Sequence, residues 1–419
     1  MKKYIMKWTE SSLILKIVIG AIIGAILGVF VPDWTVIAFP GELFVNALKA
    51  IAPILVFVLV ISAIANAKSG IGPRFKTVIG LYLFSTFLAA LVAVTVSYLF
   101  PVTMHLTAAS TEAAPGGLGE VMYTLISSIF VNPIDLLAQG QYLGILFWSV
   151  VLGLALKSVA SSNTKDILSD FSKAITKIVQ GIIQCAPFGV MGLVFKSVSE
   201  SGLGIFTQYG QLLLLLVTCI ALVAFVTDPL ISGIILKRNP YPLVLTCLKE
   251  SGITAFFSRS SAANIPINMN LCERLGLDED FFSVTIPLGA TINMEGAAVT
   301  ISVMTLAVCH TMGINVPFPI AIALCVLSTL GAYGASGVAG GSLLLIPMAC
   351  SLFGISADVS MQAVAVGFII GVVQDSCETA LNSAGDALFS ATAEYHDRMK
   401  RGVPVNFLGE FAKKVIKWG

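Results

Sequence analysis

Charge is scarce in this sequence. Of its 419 residues only 11% are charged, whereas a soluble domain carries roughly 25%. Hydrophobic residues make up 57% of the chain, and the mean hydropathy is +0.93. A soluble fold of this composition would expose large apolar patches to water, because too few polar side chains are present to cover it. The composition therefore excludes an ordinary soluble protein and predicts an integral membrane protein.

Strong net charge and clustered cysteines are also missing. The formal net charge is +1, and the eight cysteines form no CxxC pair. A chain without net charge has no global field that would attract nucleic acid. Scattered cysteines in apolar stretches are typical of small buried side chains rather than of disulfides or zinc sites. We expect no nucleic-acid partner, no structural metal and no organic cofactor.

Three long segments contain no charged residue: 77–111, 201–227 and 296–357. A helix needs about 20 mostly apolar residues to cross a bilayer. Membrane β-barrels instead have alternating segments of about ten residues, and these segments do not alternate. The sequence predicts an all-α polytopic membrane protein, with early helices near 13–31, 42–66, 77–100, 121–156, 168–196 and 205–236. The fourth of these is too long for one span and is predicted to break near 132–133.

Lysine and arginine fall in clusters that alternate with loops lacking them. The clusters lie at 2–16, 68–76, 157–177, 237–249 and 398–417, and the loops without basic residues lie at 32–41, 101–119 and 199–204. Cytoplasmic loops of membrane proteins carry the excess of basic residues. The pattern predicts that both termini are cytoplasmic and that the chain crosses the membrane six times before residue 237.

The second half of the chain is predicted to contain two re-entrant hairpins. A glycine-rich stretch at 331–342 interrupts the uncharged run 296–357, and a second small, polar stretch lies at 258–264. Irregular backbone at membrane depth is tolerated only where it is buried in protein or lines a cavity. The two hairpins enter from opposite faces, so they form inverted repeats. Broken helices in such repeats indicate a transporter site near the midplane.

A stripe of polar side chains marks the last helix. At 100° per residue, Asp375, Thr379, Asn382 and Asp386 lie within about 60° of one another. Each acid at membrane depth costs roughly 2.5–3.5 kcal/mol. The predicted interior acids are Glu295, Asp375, Glu378 and Asp386, with Arg259 the only basic residue at that depth. The excess negative charge predicts bound cations, and hard oxygen ligands favour Na⁺, with protons as the alternative.

These motifs resemble the dicarboxylate/amino acid:cation symporter family, which contains the glutamate and neutral amino acid transporters. The resemblance covers nearly the whole chain. Within the family it is closest to the bacterial members that couple serine and threonine uptake to sodium. It rests on Arg259-Ser260-Ser261, on the run from Pro287 to Gly296 that includes Asn293-Met294-Glu295-Gly296, on the second tip 337–341, and on Asp375, Thr379, Asn382 and Asp386.

The resemblance implies the architecture and the assembly. It implies eight transmembrane helices plus two re-entrant hairpins, in an elevator-type homotrimer of the cell (inner) membrane, in contact with lipid. Scaffold helices would occupy 1–76 and 120–200, and helix three with its outer loop 77–119. The transport core would occupy 201–419, with hairpin 1 at about 240–272, hairpin 2 at about 317–353, and a cytoplasmic tail.

The resemblance also implies the site residues. The substrate would be bound by Ser260, Ser261, Val338, Gly340, Asp375, Glu378, Thr379 and Asn382. Asp375 would take the substrate amino group, and the two hairpin tips its carboxylate. Sodium, the coupling ion, would be bound by Tyr82, Ser85, Thr86, Gly289, Thr291, Asn293, Met294, Glu295, Asn382 and Asp386.

Two departures from the family pattern bear on the substrate. Glu378 stands where members that carry acidic substrates have an arginine, and Glu295 stands where an aspartate is usual. A glutamate would repel a side-chain carboxylate, so we expect import of small neutral amino acids, serine and threonine above all. The alternative is a proton-coupled or an acidic amino acid symporter of the same fold. Arg259 could neutralise either Glu378 or Asp375.

Two other function classes are weighed against the symporter. Gly334-Ala335-Ser336-Gly337 resembles the nucleophile motif of rhomboid-type serine proteases, but His310 is the one nearby histidine and nothing else aligns. Small-residue runs produce this motif by chance. A channel is the third class. We expect a transporter and not an enzyme.

Overall fold

The computed structural model describes residues 13–66, 73–106, 130–335 and 340–412, and every regular element within these ranges is helical. The first seven helices are α1 (Leu13–Phe30), α2 (Phe39–Asn66), α3 (Pro73–Leu99), α4 (Pro133–Gln139), α5 (Tyr142–Val159), α6 (Ser162–Gln184) and α7 (Ala186–Ser201). The next element is a long rod made of α8 (Ile205–Leu222), a π turn (Val223–Thr227) and α9 (Asp228–Leu236).

The rest of the described chain contains the two hairpins and two long helices. Hairpin 1 comprises α10 (Tyr241–Cys247), a π turn (Leu248–Gly252), α11 (Ile253–Ser258) and α12 (Ser261–Arg274). A broken helix follows, α13 (Glu279–Ile292) and α14 (Glu295–Thr311). Hairpin 2 comprises α15 (Phe318–Ala332), a short 3₁₀ turn (Ser342–Leu345) and α16 (Ile346–Ser351), and α17 (Ala357–Lys400) is the last long helix.

Several helices are long and apolar enough to span a membrane. Five meet this criterion among the described residues, and a sixth is added if α6 and α7, bent by 54° at Cys185, are counted as one span. The prediction of a multi-pass helical membrane protein is therefore confirmed, while the total of eight spans stays a prediction. The predicted fourth segment begins at 121, and its residues up to 129 lie outside the described residues.

Glycines allow α1 to lie directly on α7. A Cβ atom on Gly20 would stand 2.2 Å from the carbonyl oxygen of Pro187, and one on Gly24 would stand 2.2 Å from that of Met191. Small residues at such positions let two helix backbones approach each other in a membrane, where dispersion contacts stabilise the pair. The first helix is thus held on the helix that follows the bend at Cys185.

The 44 residues of α17 form the axis of the second half. At 1.5 Å per residue, the helix is about 66 Å long. Helices α11, α12, α13, α14 and α16 pack on it. Its segment from Gln374 to Tyr395 is almost entirely buried. Both hairpins and the break between α13 and α14 therefore meet around one stretch of α17.

A group of ion pairs lies beyond the apolar part of these helices. Asp278 accepts hydrogen bonds from Arg74 at 2.6 Å and from Arg398 at 2.8 Å, and its backbone N–H donates to Glu394 at 3.0 Å. Burial by itself would raise the pKa of the Asp278 carboxyl. The hydrogen bond from Arg74 and the two arginine charges outweigh burial, so this pKa lies below its usual range.

Candidate functional site

The tip of hairpin 1 is a tight reversal between α11 and α12. Arg259 ends α11 in the left-handed conformation, with φ of 53°. Ser260 then caps α12, and its hydroxyl accepts a hydrogen bond from the N–H of Ala263 at 3.3 Å. Such a cap satisfies one of the free donors at a helix start. The reversal directs Arg259 toward α17 and buries Ser261.

Asp375 on α17 joins the two hairpin tips. One carboxylate oxygen lies 2.6 Å from Nε of Arg259, and the other accepts a hydrogen bond from the N–H of Gly340 at 2.9 Å. Gly340 has φ of +74°, and a Cβ atom there would stand 2.9 Å from the ring of Phe368. Of the two partners open to Arg259 in the sequence, the structure therefore brings it to Asp375 and not to Glu378.

Glu378, one turn further along α17, is held by neutral donors. One of its oxygens accepts hydrogen bonds from Thr300 at 2.7 Å, Ser342 at 2.8 Å and Gln374 at 2.5 Å. These donors come from α14, hairpin 2 and α17. Hydrogen bonds to an ionised group contribute more than those between neutral groups. The carboxylate of Glu378 therefore ties hairpin 2 to the two long helices without a cation.

Asn382 connects α17 to the break in the helix pair α13–α14. Its side-chain oxygen accepts a hydrogen bond from the N–H of Gly296 at 2.7 Å, and its NH₂ group lies 3.5 Å from the sulfur of Met294. The N–H groups in the first turn of a helix have no partner within that helix. Asn382 thus caps α14 from a different helix.

Asn293, at the break itself, lies between three elements. Its NH₂ group donates to Oδ1 of Asp386 at 3.2 Å, and its oxygen accepts from the hydroxyl of Ser85 at 3.3 Å. Gly289 packs on this group so closely that a Cβ atom there would stand 2.7 Å from Oδ1 of Asp386. The hydroxyl of Tyr82 can donate to the backbone oxygen of Asp386 at 3.1 Å or to that of Thr285 at 3.2 Å. Residues from α3, α13 and α17 therefore meet at one point.

Several carboxylate oxygens in this group have no hydrogen-bond donor among the residues that the structure describes. They are both oxygens of Glu295 and Oδ2 of Asp386, and both residues are 0% exposed. A buried carboxylate without a partner is costly, because it has lost its water and gained no hydrogen bond. The donor set of carboxylates, hydroxyls and amide oxygens fits a hard cation such as Na⁺.

Asp228 is an acid at this place that the sequence reasoning missed. It is the first charged residue after the uncharged run 201–227, and it stands at the start of α9. It is 3% exposed, its Oδ1 has no hydrogen-bond donor, and its carboxyl group interacts with that of Glu295. An acid inside the predicted span 205–236 was the signal that could have identified it.

Three other predicted site residues direct their hydroxyl groups to backbone carbonyls and not to the buried carboxylates. Thr291 is exposed, and its hydroxyl donates to the carbonyl of Leu288 at 2.7 Å. It lines a cavity of about 770 Å³ between α2 and α6 on one side and α13 with Tyr333 on the other. The hydroxyls of Thr86 and Thr379 donate to carbonyls of their own helices. Val338, and Ser336 of the protease-like motif, lie outside the described residues.

Around the hairpin tips and the helix break, the described residues include five buried acids, Asp228, Glu295, Asp375, Glu378 and Asp386, of which Asp375 is paired with Arg259. A sixth buried acid, Glu394, is paired with Arg398 further along α17. No three His, Cys, Asp or Glu side chains form a metal cluster in the part of the chain that the structure describes. An ion here would therefore be held by one or two carboxylates together with neutral oxygens. Apolar spans, broken helices and buried acids at the break are the architecture of a secondary membrane transporter.

Comparison with known proteins identifies the family. The chain belongs to the sodium:dicarboxylate symporter family, whose family model matches residues 13–395. It is 58% identical over 396 residues to a serine/threonine transporter SstT of Bifidobacterium adolescentis, covering 94% of this chain and 92% of that protein. It is also 56% and 55% identical to proteins of the same name from Streptococcus agalactiae and Streptococcus thermophilus, covering 98% of each.

These findings bear on three of the predictions. The resemblance to the symporter family is confirmed by the family match and by relatives above 50% identity. The prediction that the chain is a transporter and not an enzyme is confirmed, since its relatives are named transporters. Sodium as the coupling ion is the expectation that the family name carries.

Proposed function

We propose that this protein is a sodium-coupled symporter that imports small neutral amino acids, serine and threonine above all. The relatives that are 54–58% identical over 94% of the chain are named serine/threonine transporters. Its family is one of sodium symporters. The proposal joins these two facts to the chemistry of the interior acids.

The observation that carries the substrate class is the pair Asp375 and Glu378, one helical turn apart and both buried. Asp375 supplies the negative charge that would bind the ammonium group of a substrate. In this structure the guanidinium of Arg259 is paired with that carboxylate instead. Glu378 is held by hydroxyl and amide donors, so the described residues place no cation on it that could bind a second substrate carboxylate. An acidic side chain would meet a like charge, whereas a hydroxyl would find acceptors.

The proposed substrate site extends this pair to both hairpin tips. Hairpin 1 contributes Ser260 and Ser261, hairpin 2 contributes Val338 and Gly340, and α17 contributes Asp375, Glu378, Thr379 and Asn382. The ammonium group of the substrate would replace Arg259 on Asp375, because the two cations compete for one carboxylate. This exchange would free Arg259 from the interior when substrate arrives.

The proposed sodium sites lie where α3, the break between α13 and α14, and α17 meet. Their ligands are Tyr82, Ser85, Thr86, Gly289, Thr291, Asn293, Met294, Glu295, Asn382 and Asp386. The support is the set of buried carboxylate oxygens without donors on Glu295 and Asp386. Asn382 lies between these oxygens and Asp375, so ion and substrate would share neighbours. Each would then raise the affinity of the other by the same factor.

We further propose an elevator mechanism in a homotrimer of the cell inner membrane, with both termini cytoplasmic. The scaffold would be 1–76 and 120–200, and the moving part 77–119 and 201–419. The cavity of about 770 Å³ supports this division, since α2 and α6 of the proposed scaffold line one side and α13 of the moving part lines the other. The alternating basic clusters support the orientation.

The test is uptake of labelled serine into proteoliposomes under an inward sodium gradient, with potassium or proton gradients as controls and aspartate as competitor. We expect uptake that requires sodium and ignores aspartate. The Asp386→Asn variant should raise the sodium concentration for half-maximal uptake about tenfold, the effect of roughly 1.4 kcal/mol of lost ion binding. Asp166→Asn on exposed α6 is the matched control and should leave it unchanged.

Three results would contradict the proposal. Uptake driven by a proton gradient in the absence of sodium would make the protein a proton symporter. Strong inhibition by aspartate would mean that the pocket accepts an acidic side chain despite Glu378. A flux that does not saturate with serine and shows no counterflow would instead identify a channel.

A further inference from the structure

We propose that Asp228 is a sodium ligand, and that Asp228 and Glu295 together form a cation site between the α8–α9 rod and the start of α14. This inference rests on the proposed sodium coupling and adds a ligand to it from a helix that contributes none of the residues assigned above. The site is identified by carboxylate oxygens of both residues that are buried without a hydrogen-bond donor among the described residues.

Neither carboxyl group has a basic partner among the described residues. Both oxygens of Glu295 and Oδ1 of Asp228 are buried without a hydrogen-bond donor from these residues, and the two carboxyl groups lie within hydrogen-bond distance of each other. The residues are 0% and 3% exposed, so bulk solvent does not screen their charges. Two like charges held together in a low-dielectric interior are strongly unfavourable. A cation between them removes the repulsion and occupies the free oxygens.

Among the described residues, no lysine or arginine lies against Asp228 or Glu295. The guanidinium of Arg259 is committed to Asp375 and to the carbonyl of Gly371. Ser85 is a neutral neighbour of the Glu295 carboxyl group. Its hydroxyl hydrogen has acceptors at 3.3 Å in both Oδ1 of Asn293 and the backbone oxygen of Tyr82. Its hydroxyl oxygen is left as an acceptor, and a third hard oxygen completes a set suited to Na⁺ rather than to a softer metal.

The backbone of the rod sets the direction of Asp228. The π turn at Val223–Thr227 directly precedes it, and the N–H of Asp228 donates to the carbonyl of Val223, five residues earlier. One extra residue in a helical turn shifts the face of everything after it by about 100°. Single π turns inside α-helices are frequently found at functional sites. The hydroxyl of Ser232, one turn further, accepts from Thr392 at 3.2 Å and holds this face of α9 on α17.

The experiment measures sodium binding rather than transport. The full-length protein in lipid nanodiscs is titrated with sodium, without amino acid, at constant ionic strength maintained with potassium. Thermal unfolding is recorded at each concentration, since an ion that binds only the folded state raises the melting temperature. For Asp228→Asn we expect the sodium concentration for half-maximal stabilisation to rise about tenfold or more. Asp166→Asn on exposed α6 is the matched control and should behave as the unmodified protein.

A second variant keeps the test decisive if Asp228→Asn does not fold. Asp228→Ser removes the charge but keeps an oxygen, and it should also shift the sodium midpoint. An unchanged midpoint in either folded variant would overturn the inference. So would a variant in which sodium binding is intact and only the pH dependence of serine uptake is lost, because the pair would then hold a proton. If sodium does not raise the melting temperature of the unmodified protein, sodium is not the coupling ion. That result would contradict the proposed function itself, and not only the role of Asp228.

Discussion

The buried acids around the hairpin tips and the helix break form two regions that are built differently. In the first, near the hairpin tips, Asp375 and Glu378 accept hydrogen bonds from a guanidinium, a backbone N–H, two hydroxyls and an amide. In the second, near the break between α13 and α14, Glu295 and Asp228 have oxygens without donors. Both regions are equally buried, so burial does not separate them.

The two regions differ in how their negative charge is compensated. The protein neutralises the first region with its own Arg259 and with donors on both hairpins, so these acids can hold the tips together in this structure. The second region lacks such donors, and a charge in a dry interior has to be paired with another charge or lose its own. The second region therefore has to take up a cation or protons, and under the proposed function the substrate ammonium group competes with Arg259 in the first.

The largest effect is expected from Asp375→Asn. The change leaves Arg259 buried without its charge partner, and breaking a buried pair in this way costs about 3–5 kcal/mol. It also removes the charge proposed to bind the substrate ammonium group. We expect serine affinity to fall at least about a hundredfold, measured by isothermal titration with sodium present. Asp358→Asn on the same helix is the control, because this carboxylate is 82% exposed and its pair with Lys49 is worth little.

A smaller and more selective effect is expected from Glu378→Gln. The amide oxygen can still accept hydrogen bonds from Thr300 and Ser342, but the negative charge is gone. Serine affinity should fall about threefold, within the range of a single hydrogen bond, while aspartate should begin to compete for uptake. Ser342→Ala is the matched comparison, because it removes one donor and keeps the charge. If aspartate is excluded equally from both variants, Glu378 does not select against acidic substrates.

The smallest effect is expected at the ion pairs around Asp278. Because the pKa of Asp278 is lowered in the folded protein, its contribution is fully present above the unfolded pKa, about pH 4, and is lost as the pH falls through the folded value. The melting temperature of Asp278→Asn should lie about 2 °C or less below that of the unmodified protein at pH 7. The gap should narrow as the pH falls below about 4 and close once the pH is below the folded pKa.

The control for this measurement is Asp280→Asn. Asp280 shares Arg74 with Asp278 but is 76% exposed at its side chain, so solvent screens its ion pair. A gap at Asp278 that does not narrow at any pH below about 4 would show that packing, and not the carboxylate charge, stabilises this end of the molecule.

Much of the helical framework could be predicted from the sequence, because membrane helices depend on local composition. The span predicted at 205–236 is the described rod Ile205–Leu236, and the break predicted near 132–133 lies where α4 begins. Packing was not predictable in the same way. Gly20 lies against the backbone of α7, whereas a Cβ atom on Gly80 would meet nothing within 4 Å. The two glycines look alike in an apolar run, and only the neighbouring helix distinguishes them.

The sequence by itself determined that this is a helical membrane protein with a stripe of polar groups on its last helix, because hydropathy and a period of 3.6 residues are local properties. Tertiary structure alone decided which acid Arg259 contacts, since the two residues are 116 positions apart. It also brought Asp228 to Glu295 and left their oxygens without donors. Such pairings depend on how separate helices pack and turn, and a single π turn is enough to change which side chains meet.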